Sequence, residues 1–171
     1  SIREELGLTR SQILTHENIA RVLSQKSQFD EALDHLNTAL QLQSQITDPL
    51  AEASTLTEMG NLNLQKGNIA EALRRYLMAL KLRQSFGQDE DVAKSLTNIG
   101  LAYRKLGMYK SSLKYMEQAH DIIDAKELNT NDAAYILQNL GHIYQDVKQF
   151  NKAIGTYKEA LALKEKGWDE S

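Results

Sequence analysis

The sequence predicts an all-α fold in which helical hairpins stack side by side into a right-handed superhelical solenoid. Small residues recur at Ala20, Gly60, Gly100 and Gly141, at spacings of 40, 40 and 41, and a fixed period of this length marks a repeat architecture. Other columns keep the same register: Ala32, Ala72, Ser112 and Ala153, then Ala39, Ala79, Ala119 and Ala160. Between them stand the bulky Leu36, Tyr76, Met116 and Tyr157, preceded by Phe29, Ile69, Tyr109 and Phe150. Apolar residues return every three or four positions, the chain holds one proline, and strand-like alternation is nearly absent.

The first repeat opens at Thr9, which with Gln12 forms a capping-box pattern, giving helices over 10–25 and 28–46. Asp48 before Pro49 starts the second, with helices over 49–66 and 69–86. An Asp side chain accepts from first-turn amides, and proline at the first helical position lacks only an unpaired N–H. Gln88-Asp89-Glu90-Asp91 begins the third (helices 90–106 and 109–126), and Thr130-Asn131-Asp132 the fourth (131–147 and 150–166). Both stretches set polar or acidic groups at a positive helix end. Short polar breaks divide each hairpin, and Gly67 and Gly107 stand where a left-handed C-cap residue belongs. Gly or Ala at helix contacts lets backbones approach, with Tyr76 or Tyr157 filling the adjacent groove. Ile2, Leu6 and Gly7 align with Leu82, Phe86 and Gly87 at an offset of 80. Residues 1–8 are thus expected to end a preceding repeat, followed by repeats at 9–47, 48–87, 88–128 and 129–168 in one array, a piece of a longer protein.

These units resemble the tetratricopeptide repeat, with its Leu, small, Tyr pattern in the first helix and Ala, aromatic, Ala in the second. LTNIGLAYRKLGMYKSSLKYMEQA (96–119) and LQNLGHIYQDVKQFNKAIGTYKEA (137–160) are close matches, whereas the first copy departs with His16, Ala20 and Leu23 at the Leu, Gly and Tyr positions. The long period is similar to the subclass in kinesin light chains, spindle-orientation adaptors and bacterial peptide-sensing regulators. It also resembles arrays placed ahead of output domains in bacterial sensor kinases and diguanylate cyclases.

In such an array the first helix of each hairpin lines the concave face. The expected lining is Glu17, Asn18, Arg21 and Gln25, then Thr57, Glu58, Asn61 and Gln65. It continues through Lys94, Thr97, Asn98, Arg104 and Lys105 to Tyr135, Gln138, Asn139, His142 and Gln145. Asn18, Asn98 and Asn139 share one position, and carboxamides in a row offer the donor and acceptor that a peptide backbone pairs with. The resemblance implies that role for them, the plain alternative being solvated surface asparagine. Glu58 interrupts the row and should select a cation or amide. Lys94, Arg104 and Lys105 form a basic segment that either suits an acidic partner or is an ordinary charged face, exposed pairs contributing little energy. The carboxylate clamp of chaperone-binding relatives is not reproduced, because Glu17 and Glu58 replace the required Lys and Asn.

Net charge of −3 and a pI near 5.8 give no general field for nucleic acid, and no apolar run reaches the roughly 18 residues of a membrane span. Neither partner is expected. Without cysteine, disulfides and thiolate metal sites are ruled out, and a cytoplasmic setting is expected. His142 and Asp146, one turn apart, form a surface pair more readily than a metal site. His16 reads as a buried, hydrogen-bonded imidazole in a core-facing place, and His35 and His120 as packing or surface residues. No phosphate loop or nucleophile constellation appears. The sequence therefore reads as a non-catalytic module without cofactor that binds a protein or peptide. Two other readings are a regulatory input segment and self-association as a homodimer through ends near Leu6, Ile154, Leu161 and Trp168.

Overall fold

A computed structural model describes the backbone of residues 2–128 and 131–169 and the side chains of 5–128 and 131–165. Among the described residues there are eight helices and no strand. The chain divides into two compact units, residues 1–86 and 87–171. The first holds α1 (Ile2–Gln25), α2 (Phe29–Ile46), α3 (Pro49–Gln65) and α4 (Ile69–Phe86). The second holds α5 (Asp89–Lys105), α6 (Tyr109–Ala125), α7 (Asn131–Asp146) and α8 (Phe150–Asp169). Within each unit consecutive helices form two antiparallel hairpins, and the second helix of one hairpin packs on the first helix of the next.

Helix ends follow the local chemistry with one exception. The Asp48 carboxylate accepts from the Ala51 amide at 3.1 Å with Pro49 behind it, as the sequence predicts. The capping box at Thr9 does not form: α1 runs unbroken from Ile2, and the Thr9 hydroxyl donates to the Glu5 carbonyl at 3.0 Å inside the helix. Thr130 and the side chains of Ile2 and Trp168 lie outside the described residues.

The first helix of every hairpin closes with the same turn. Amides of Gln28, Asn68, Met108 and Gln149 reach back to the carbonyls of Leu23, Asn63, Tyr103 and Tyr144 at 2.8–3.0 Å. Such a turn needs one left-handed residue, and it is Gly67 (φ 84°) and Gly107 (φ 71°) in the middle hairpins but Ser27 (φ 60°) and Lys148 (φ 61°) in the outer two.

A small residue on the first helix faces a large one on the second. A methyl added to Gly60 would lie 2.4 Å from the Tyr76 ring, and one on Gly141 2.4 Å from the Tyr157 ring. Gly100 has Met116 at 2.7 Å in the same sense. Where the small residue is Ala20, its partner in the core is the shorter Leu36. Ala32, Ala72, Ser112 and Ala153 are buried beside these contacts, so the helices approach closely at the small columns. In the first unit one core joins Ala20, Leu36, Met59 and Leu62, and another joins Ala53, Leu56 and Ala79. In the second, Leu96, Ile99, Met116, Leu137, Leu140 and Ile143 are buried.

Two outcomes follow from these contacts. Gly60→Ala lowers stability by about 1–3 kcal/mol through overpacking, and most of that loss disappears in the Tyr76→Leu background, which a denaturant double-mutant cycle measures. Lys148→Gly raises stability by on the order of 0.5 kcal/mol, since the relief of left-handed strain outweighs the added freedom of the unfolded chain, and calorimetry reads the gain as a higher Tm.

Candidate functional site

The leading helices of the first unit, α1 and α3, enclose a cleft of about 170 Å³. It is lined by Arg21 and Ser24 from α1, Glu58, Asn61 and Gln65 from α3, and floored by Ala20, Leu36 and Leu62. The floor is the small–large contact itself, so the packing that joins the hairpin also fixes the cleft's depth. Asn61 is held in place because its Oδ1 accepts from the Tyr76 hydroxyl at 2.6 Å. Glu58 is exposed as a residue, yet its carboxyl is pushed above the ordinary range, first by partial desolvation, then by the Glu17 charge, with Arg21 opposing both. Asn18 and Gln25 are exposed on α1, and Thr57 is half-buried on α3 with its hydroxyl on the Ala53 carbonyl at 2.8 Å. Ser24 and Leu36 complete the cleft although the sequence pattern assigns them no role there.

Glu17 does not face the cleft as a free carboxylate. Its Oε1 accepts from Gln43 Nε2 at 3.1 Å and from the Thr55 hydroxyl at 3.0 Å, joining α1, α2 and α3. His16 and His35 meet Nδ1 to Nδ1 at 2.8 Å, a half-buried pair in which one ring donates to the other. The expected hydrogen bond at His16 is made, with His35 as its partner, but the residue is half-buried and not buried.

In the second unit the leading helices α5 and α7 touch. Asn98 and Asn139 are half-buried, Tyr135 and His142 exposed, and Gln138 half-buried. Asn139 donates from Nδ2 to the Tyr135 carbonyl at 2.9 Å, which leaves its Oδ1 as acceptor. Thr97 is a correction: it is 2% exposed, its hydroxyl donates to the Ala93 carbonyl at 2.9 Å, and it belongs to the core.

The basic segment is largely neutralised from within. Lys94 bonds Asp132 at 2.7 Å and Glu90 at 3.4 Å, and Arg104 bonds Asp146 at 2.5 Å. These hydrogen bonds raise both cations' pKa values and lower that of Asp132. Lys105 stays exposed. The expected His142–Asp146 pair is absent, since Asp146 goes to Arg104 while His142 sets its ring edge-on to Tyr157 at 5.6 Å. Gln145 accepts from the Tyr157 hydroxyl at 2.6 Å. Among the described residues no three His, Asp or Glu side chains converge on a metal position, and no helix is long and apolar enough to cross a membrane.

With helices paired in this way and the columns accounted for, comparison with known proteins settles the class. The family model described as tetratricopeptide repeat matches residues 11–85 and 91–166, and the chain belongs to that family. It is 28% identical over 122 residues to heat shock protein STI1 of Saccharomyces cerevisiae, covering 71% of this chain and 18% of that protein. The fold matches the repeats of a putative kinesin light chain from Podosopora anserina with a TM-score of 0.74 at 18% identity, over 91% of this chain and 76% of the other. It also matches a Rap protein complexed with competence and sporulation factor, with a TM-score of 0.77 at 18% identity, over 91% and 43%. The chain thus spans about a fifth of the STI1 relative and less than half of the Rap chain.

Because the Glu58 carboxyl titrates above its unfolded value, the folded state favours its proton. The stability this supplies is complete below the unfolded pKa and is lost as pH rises through the raised folded value. Glu58→Gln therefore raises the unfolding midpoint in urea at pH 7, and the advantage closes as pH falls below about 4, the carboxylate range.

Proposed function

We propose that the chain is a non-catalytic module that binds a peptide or partner segment along its leading helices. The observation that carries this reading is the α1–α3 cleft, where Arg21, Glu58 and Asn61, three residues the repeat pattern assigns to a binding face, line one recess. Its apolar floor accepts a small aliphatic side chain. Arg21 and Asn61 present donors, and the partly desolvated Glu58 prefers an amide or cationic group, which would relieve its proximity to Glu17. On the second unit Asn98 and Asn139 present carboxamides suited to a peptide main chain, flanked by Tyr135, Gln138 and His142, while Lys94, Arg104 and Lys105 supply a weaker, partly neutralised attraction for acids. Glu17 and Glu58 disfavour a peptide ending in free carboxylates, which sets the reading apart from chaperone-tail capture. We take the array to be a single run of repeats in a cytoplasmic, cofactor-free protein, serving as an adaptor or as the input segment of a larger signalling protein.

A second reading, pairing of two chains, is favoured by Phe150 (59% exposed), Ile154 (54%) and Leu161 (56%), which share one face of α8. Light scattering across a concentration series measures it, and a constant monomer mass removes it.

A peptide array followed by calorimetry tests the leading proposal. Arg21→Ala and the paired Asn98→Ala/Asn139→Ala variant each weaken the Kd of selected peptides about fivefold to tenfold, the worth of one or two hydrogen bonds. Unchanged affinity in both variants, with helicity preserved, overturns it.

A further inference from the structure

We propose that the first unit carries a second ligand site, a recess that takes an alkylammonium or alkylguanidinium group. The recess has a volume of about 270 Å³ and shares no lining residue with the α1–α3 cleft. Its walls include Ile13 from α1, Ile46 from α2 and Ala51 from α3, and its polar groups include Glu17, Gln43 and Asp48.

Gln43 is the centre of the case. It is 1% exposed, and its Nε2 donates to Glu17 Oε1 at 3.1 Å and to Thr55 Oγ1 at 2.8 Å. Those bonds fix the orientation of the amide, and its buried Oε1 has no donor among the described residues. A buried carbonyl without a donor bears its full desolvation cost.

The repeat itself shows that packing does not require this arrangement. Two periods further on, the column of Gln43 holds Ile123, 5% exposed on α6, and the columns of Glu17 and Thr55 hold Thr97 and Ile136, both buried. An apolar side chain therefore satisfies the same helix contact. The column reads Gln43, Arg83, Ile123 and Lys164, and Gln43 is its fully buried polar member; a buried polar group held where an apolar one packs equally well points to a ligand.

Charge selects the ligand's sign. Asp48 uses Oδ1 on the Ala51 amide and Glu17 uses Oε1 on Gln43 and Thr55, so each carboxylate keeps a second oxygen. Arg10, exposed at the rim, is the one cation among the lining residues, leaving one excess negative charge. Two carboxylates and a carbonyl against aliphatic walls complement a positive group with several N–H donors on a short apolar stem, and they repel an anion. A lysine or arginine side chain of a partner and a free alkylamine share this chemistry.

The test is nitrogen–proton NMR on the whole chain titrated with n-butylammonium, with n-butanol as the neutral control of the same stem. The ammonium should shift the Gln43 side-chain amide and the Ala51 backbone amide saturably, with butanol leaving both in place. Gln43→Ile should weaken the ammonium about tenfold or more while Tm holds or rises, and Glu17→Gln should weaken it in the same sense with its hydrogen-bond geometry preserved. Tighter binding of blocked lysine amide than of butylammonium assigns the site to a protein side chain, and the reverse order assigns it to a small amine. Equal shifts with butanol, or full ammonium affinity in both variants, overturns the proposal.

Discussion

Close approach of the two helices in each hairpin is the constraint on which the rest depends. It is set by one pair of side chains per repeat, and the two members are matched in size: Gly60 with Tyr76, Gly141 with Tyr157, Gly100 with Met116, Ala20 with Leu36. An aromatic ring lying on a bare backbone fills the groove that the absent Cβ opens, whereas a Cβ in the first copy is balanced by a shorter partner. Interiors packed at crystal-like density leave little room for any other combination. The leading-helix cleft is a by-product of this contact, since Ala20 and Leu36 form its floor.

Most of the architecture was legible because the determinants are local. Helix limits follow from the 3.6-residue periodicity, from Asp48-Pro49 and from the glycines at the turns, and they agree with the structure to within a residue or two except at the start of α1 and the end of α8, which runs three residues further. At the start of α1 a hydroxyl misled the reading: Thr9 bonds a carbonyl four residues back within a continuing helix, and the same residue type serves cap and helix interior alike. Thr97 was misplaced for a related reason, as a threonine satisfied by its own helix can be buried without a partner elsewhere.

The electrostatics of the binding face were less legible. Lys94 and Arg104 read as free cations in the linear sequence, but their carboxylates, Asp132 and Asp146, stand about one repeat further along and are brought alongside by hairpin packing. Asp30 and Lys66 are paired on the same principle in the first unit. Exposed pairs of this kind contribute little stability, yet they govern which charges a partner meets. The Glu17–Gln43–Thr55 cluster was equally hidden, because its members are separated by 26 and 38 positions. The column of Gln43 gives no sign of it, since its other members are Arg83, Ile123 and Lys164.

The matched small and large residues always stand sixteen positions apart along the chain. Contacts of such short sequence separation keep relative contact order low, which goes with rapid folding. A nascent hairpin therefore has its principal contact available as soon as its second helix is synthesised, well before the remaining repeats exist. Duplication or deletion can lengthen or shorten an array of this kind by whole hairpins, because each copy carries its own means of closure.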